Sequence, residues 1–175
     1  DLRSHIGLVL QDVFLFSGSL LENVTLGDPE KGRADVERAV DLVGADRFIE
    51  KLPGGLDHEI GERGVTLSHG QRQLVSFIRA LVYDPEIIVL DEATSSVDTE
   101  TEEMVQRALD TLMEGRSALV VAHRLSTIQH ADQILVMHKG QIRERGTHQD
   151  LLARPEGLYR RLYELQYADQ ERAAA

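Results

Sequence analysis

The apolar positions of this chain fall into two rhythms. Unbroken apolar runs at Ile6-Gly7-Leu8-Val9-Leu10, Ile87-Ile88-Val89-Leu90 and Ala118-Leu119-Val120-Val121 predict strands, and Gln133-Ile134-Leu135-Val136-Met137, apolar after its first residue, predicts another. No polar residue alternates through Ile87–Leu90, so that strand is expected to be covered on both faces. Between the runs the spacing is helical. Ser19 to Leu26 predicts a short helical turn closed by Gly27-Asp28-Pro29. From Ala34 to Leu52, Val36, Ala39, Val40, Leu42, Val43, Phe48 and Ile49 recur at helical intervals. Gly44 divides them into two helices, and Pro53-Gly54-Gly55 ends the second in a turn.

Beyond Ser68, the residues Leu74, Val75, Phe77, Ile78, Leu81 and Val82 predict one long amphipathic helix that stops before Asp84-Pro85. A further helix spans about Thr99 to Met113. Gln141 to Arg145 behind Gly140 predicts a hairpin edge, and Gln149 to Gln166 a final helix. Alternating apolar strands and helices of this length argue for an α/β fold with a parallel sheet. Residues of about 20–83 read as a helical lobe inserted between 1–19 and 84–175, which carry the sheet. The expectation is one domain over 1–175 with two lobes.

Composition narrows the classes. The 175 residues carry a formal net charge of -11, with 42% hydrophobic residues and no cysteine. Without cysteine there are neither disulfides nor thiolate zinc sites. The acidic balance argues against a nucleic-acid partner, which needs clustered Lys and Arg. It leaves room for a phosphate held locally by backbone amides. No run of about 18 apolar residues occurs.

Four places carry candidate chemistry. Asp91-Glu92 end a buried strand, and in parallel sheets the carboxyl edge is where ligands bind. Asp91 is suited to Mg²⁺, and Glu92 to orienting or deprotonating a water. Read alone, the pair is equally a solvated strand end. Leu67-Ser68-His69-Gly70-Gln71 opens the long helix, with Ser68 as N-cap and Gly70 allowing close approach of an anion. Read alone, it is more readily an ordinary capped helix. His123, just past a strand, and Gln11, just past another, fall on the same rim. There an imidazole could meet a phosphate, and an amide oxygen a metal or a water.

In order and spacing these elements resemble the ATP-binding cassette domain of ABC transporters, the exporter type in particular. Ile6 to Asp12 looks like the Q-loop, followed by the exporter-like Phe14-Leu15-Phe16-Ser17-Gly18-Ser19-Leu20-Leu21-Glu22-Asn23-Val24. Gly61-Glu62-Arg63-Gly64 resembles the X-loop and Leu67 to Gln73 the signature motif. Ile87 to Glu92 resembles Walker B, Ala93 to Asp98 the D-loop, and His123 to Ile128 the H-loop. The resemblance runs from Leu2 to about Tyr167. It implies an incomplete P-loop NTPase-like parallel sheet with an inserted helical signature subdomain.

The resemblance also implies an ATPase using ATP and Mg²⁺, paired head to tail with a second cassette as homodimer or heterodimer. Glu92 would be the general base, His123 the γ-phosphate contact, and Gln11 the sensor beside Mg²⁺, which Asp91 holds. Ser68, Gly70 and Gln71 would meet the ATP of the partner, and Asp98 would link the two sites. The Gln11 and Glu62 regions would face transmembrane domains, at the cytoplasmic face of a membrane.

Two departures stand out. No G-x-x-x-x-G-K-[ST] occurs in the chain, and in the family that loop precedes the Q-loop. The expectation is that it lies upstream of Asp1, that this chain alone neither binds nor hydrolyses ATP well, and that strands such as Ile87–Leu90 keep an apolar face or an edge unpaired. Second, His69 stands where the signature most often has glycine. The resemblance leaves the contacts of Ser68 and Gly70 possible if the His69 side chain points away. The alternatives are a cassette of a DNA-repair or chromosome ATPase and a regulatory, non-hydrolysing cassette. The short span from Gln11 to Leu67, with neither heptads nor cysteines, favours the exporter.

Overall fold

A computed structural model of the chain describes residues 5–61, 64, 66–91, 99–122 and 125–174. They form two compact units, dividing between Val121 and Ala122.

The first unit is built on three parallel strands, β1 (Ile6–Val9), β4 (Ile87–Asp91) and β5 (Ser117–Val121), in the order β1-β4-β5. The register runs Val9 with Leu90 and Leu90 with Val120. Side chains at paired positions share a face, so Val9, Ile88 and Leu90 all point into the core, each at most 3% exposed. Gly7 has no alternative on this face, because a Cβ there would lie 2.6 Å from Cγ of Pro85.

The helices are α1 (Leu20–Thr25), α2 (Arg33–Val43), α3 (Asp46–Glu50), α4 (His69–Tyr83) and α5 (Thr99–Met113). The two-helix reading around Gly44 holds, with Gly44 closing α2 at φ 64°. A 3-10 turn at Gly55–Asp57 and a two-residue antiparallel pair, β2 (Gly18–Ser19) with β3 (Glu59–Ile60), complete the connections. Nothing in the periodicity foretold that pair. At α4 the stop before Asp84-Pro85 is sharp: Asp84 takes a left-handed φ of 44° and Arg116 reaches it at 2.6 Å.

The helix α4 packs on β1, α1, α2 and α5. Its Leu74, Val75, Phe77, Ile78 and Leu81 join Ile88, Leu90, Leu109 and Leu112 in one cluster. The opposite face of the sheet stands differently. Leu8, Val89 and Leu119 are in register, yet Leu8 and Leu119 are 59% and 58% exposed, and Val121 is exposed too. The expectation of cover on both faces of Ile87–Leu90 is therefore met on one face only, because α4 and α5 pack on the face of Ile88 and Leu90, and the expectation that the sheet keeps an apolar face unpaired is met on the other.

The second unit holds α6 (Leu125–Ile128), the hairpin β6 (Ile134–His138) with β7 (Gln141–Gly146), α7 (His148–Leu152) and α8 (Leu158–Ala174). The hairpin turns on Lys139-Gly140, both at positive φ, which matches the twist of the strands. Ile134, Val136, Leu151 and Tyr159 form its core. The single final helix expected from Gln149 to Gln166 is two helices. Pro155 cannot continue α7, and α8 has its own start, where the two Glu144 carboxylate oxygens accept from the amides of Leu158 (2.9 Å) and Tyr159 (3.0 Å).

Leu90→Ala is expected to lower the stability of this chain by about 2–4 kcal/mol through the cavity it leaves. Leu119→Ala, on the bare face, should change it by under about 1 kcal/mol. Urea unfolding of the two variants checks the contrast.

A second expectation concerns α1. The Glu22 carboxyl accepts from the Ser19 amide (2.8 Å) and hydroxyl (3.0 Å), and these bonds hold its pKa below the usual glutamate value. Its support of α1 is complete above the ordinary glutamate range and is lost as pH falls through the lowered value. In Ser19→Ala, which keeps the amide donor, the Glu22 midpoint read by NMR titration should rise part of the way back.

Candidate functional site

Parallel pairing brings two of the predicted residues to one edge. Asp91 is the last residue of β4, half-buried and paired with Val121 at the end of β5. On its other side β1 ends at Val9, whose partner is Leu90, so Gln11 leaves the strand at the same carboxyl edge, exposed to solvent. Among the described residues Asp91 makes no ion pair, and no group of three His, Cys, Asp or Glu side chains could hold a metal ion. What the edge offers a divalent cation is one carboxylate and one neighbouring amide oxygen. That set suits an ion which keeps most of its water shell. Glu62, Glu92, Asp98 and His123 lie outside the described residues.

A second set of predicted residues sits at the head of α4. The Gln71 amide donates to Oγ of Ser68 (3.2 Å) while Oε1 of Gln71 accepts from the Ser68 amide (2.9 Å), a complete capping box. The pair leaves specific groups over. The Ser68 hydroxyl uses an acceptor position only, so its hydrogen remains available. Among the described residues the amides of His69 and Gly70 donate to nothing, as expected of a helix start. These donors, at the positive end of a 15-residue helix, suit an anion.

His69 adds an observation of another kind. Its Nε2 is buried and, among the described residues, has no hydrogen-bond partner. A buried orphan of this kind costs about 1–3 kcal/mol, which a polar neighbour at the head of α4 would remove. No hydrogen bond joins Ser68, Gly70 or Gln71 to Gln11 or Asp91 among the described residues. An open cleft of about 690 Å³ lies in the second unit on Leu135, Ile142, Arg143 and Arg154, and none of the predicted residues lines it.

Periodicity missed the polar residues that tie α1 and the segment after Gln11 to α4. Asn23, 2% exposed, accepts from the Phe16 amide through Oδ1 (2.8 Å) and donates through Nδ2 to the carbonyls of Phe16 (2.9 Å) and Ser19 (3.0 Å). Arg79 of α4 donates through Nε to the Asn23 carbonyl (3.0 Å) and through its terminal nitrogens to the Phe14 carbonyl (3.4 and 3.5 Å). Tyr83 donates to the Thr25 carbonyl at 2.6 Å. Burial pushes the Arg79 pKa down and the Tyr83 pKa up. One signal was present in the sequence: Arg79 interrupts the apolar stretch Phe77-Ile78-Arg79-Ala80-Leu81.

Residues 1–95 match the family model described as ABC transporter. The chain is 53% identical over 166 residues to a probable multidrug resistance ABC transporter ATP-binding/permease protein of Bacillus subtilis, covering 95% of this chain and 24% of that protein. It is 51% identical over 168 residues to an ATP-dependent lipid A-core flippase of Nitrosococcus oceani, covering 95% of this chain and 28% of that protein. Among solved structures, a bacterial Atm1-family ABC exporter with ATP bound matches with a TM-score of 0.82 and 40% identity, over 94% of this chain and 28% of that one. The chain thus spans about a quarter of the length of these relatives. With the family model covering more than half of it, this chain belongs to the ABC transporter family.

Proposed function

We propose that this chain is the switching part of an ATP-hydrolysing cassette that drives export across a membrane from its cytoplasmic face. The observation that supports this reading most is the register that carries Gln11 and Asp91 to one sheet edge, within a chain of this family. The printed names of the relatives, ATP-binding/permease protein and ATP-dependent flippase, agree with it.

The roles follow from the groups available. Asp91 and Gln11 would hold Mg²⁺ through its water shell. Bound there, the metal would offset charge on the phosphate oxygens. Glu92, next in sequence to Asp91, would accept the proton of the attacking water. His123 would donate to the γ-phosphate from the start of the segment after β5. The free donors of Ser68, His69 and Gly70 would close over the nucleotide of a second cassette, with Gln71 keeping the cap that aims them and Asp98 relaying between the two sites. The partner cassette is a second copy or a relative of this chain. The Gln11 and Glu62 regions would receive the transmembrane domains, and residues of about 20–83 would form the helical lobe that meets them.

Two outcomes are expected. The 175 residues alone contain no G-x-x-x-x-G-K-[ST], so calorimetric titration with MgATP should give no micromolar binding. In the polypeptide that carries this chain, Glu92→Gln should lower ATP turnover about 10²–10⁴-fold with nucleotide affinity retained. Turnover at the wild-type rate in that variant would remove Glu92 from the mechanism.

A further inference from the structure

The segment that follows Gln11 is pinned in an unusual way. Leu15 is fully buried, and its Cδ1 would lie 2.7 Å from a Cβ at Gly64, which takes φ 63°. On either side of Leu15 the rings of Phe14 and Phe16 stand out, 57% and 56% exposed, edge to face at 5.0 Å. The backbone of this strap makes no strand. Its polar groups are taken instead by two side chains, Asn23 on Phe16 and Arg79 on Phe14.

Arg79 does a second thing at once. Its bond to the Asn23 carbonyl and the bond of Tyr83 to the Thr25 carbonyl fill acceptors in the last turn of α1. That turn contains no basic residue of its own, and a helix end of this polarity favours a cation. Arg79 and Tyr83 are four apart, hence on one face of α4. Among the described residues Arg79 pairs with no carboxylate. Its charge is met by carbonyls of the strap and of α1 alone.

We infer that Arg79 is a positioning residue that locks the strap after Gln11 to the helix headed by Ser68, with Tyr83 steadying the last turn of α1 beside it, so that the sheet-edge and helix-head parts of the proposed site respond together. This rests on the ATP-driven reading given above. The reason is mechanical. The helix α4 is rigid over its length, and Arg79 lies three turns below Ser68. A shift of the strap therefore reaches the head of α4 through Arg79, and leaves it only by giving up the guanidinium's long contacts to the Phe14 carbonyl (3.4 and 3.5 Å) beside its bond to the Asn23 carbonyl (3.0 Å).

The test uses the full polypeptide that carries this chain, with Arg79→Lys, Arg79→Gln and Tyr83→Phe. Hydrogen exchange is read on peptides covering residues 12–19 and 68–76, with and without MgATP, beside the melting temperature and the KM and kcat for ATP. In Arg79→Gln, exchange over 12–19 without nucleotide is expected to rise about tenfold, the loss of one charged hydrogen bond. MgATP should still slow exchange over 68–76 but no longer over 12–19, and kcat should fall several-fold while KM stays within about twofold. Arg79→Lys, which can still reach one carbonyl, should recover part of each effect. Tyr83→Phe removes one hydroxyl, leaves the core filled, and should show the same pattern in weaker form. It carries the test if Arg79→Gln fails to fold.

Unchanged exchange over 12–19 in folded Arg79 and Tyr83 variants overturns the inference. So does a loss of melting temperature with kcat and the MgATP response intact, which is the mark of a purely structural tie. If the wild type itself gives no response to MgATP, the ATP-driven reading fails. The nucleotide-free exchange over 12–19 then decides by itself whether the lock exists.

Discussion

The helix α4 is enclosed by a strand and three helices, and most of its residues are removed from solvent. A helix in that position cannot turn or slide without opening the cluster that holds Phe77, Ile78, Ile88 and Leu109. Its direction is therefore fixed, and with it the place where Ser68, His69 and Gly70 present their donors. The strands depend on the same contact. Ile88 and Leu90 are buried because α4 and α5 lie over them, and this sets which face of Asp91 and which edge of the sheet remain open.

That single packing arrangement yields two chemically different ends. The carboxyl edge of the sheet offers an acceptor carboxylate at Asp91 and an amide at Gln11, suited to a hydrated cation. The head of α4 offers only donors, suited to an anion. On the proposed reading, a nucleotide with its metal carries both signs, and two copies would each offer one set to the other.

Much of this was legible in the sequence because it depends on short-range pattern. The apolar runs became strands within a residue or two, Gly44 broke the helix it was expected to break, and Ser68 caps α4 with Gln71 as its return partner. Three features were not legible. The pairing of Gly18–Ser19 with Glu59–Ile60 rests on contacts forty residues apart and has no period to reveal it. The break between α7 and α8 was hidden by leucines that keep a helical spacing across Pro155. The bare face of Leu8 and Leu119 could not be read from the run Ile87–Leu90 itself, since an apolar strand looks the same whether one face is covered or two; only the lack of a G-x-x-x-x-G-K-[ST] segment pointed to it.

The least legible devices are two that use the same physics with opposite charge. In the second unit Glu144 sends a carboxylate from β7 to the first amides of α8, and in the first unit Arg79 sends a guanidinium from α4 to a last carbonyl of α1. Each gives a helix end the sign of charge that its unpaired backbone groups favour, from an element distant in sequence. The difference lies in what else each group holds. Glu144 spends both oxygens on one helix and so fixes where α8 begins. Arg79 divides its donors between α1 and the strap behind Gln11, so the same charge that steadies a helix end also ties the strap to the most deeply packed helix of the unit. A static cap needs only the first of these bonds. The second satisfies the Phe14 carbonyl and, on the inference drawn above, also makes the position of the strap felt at α4.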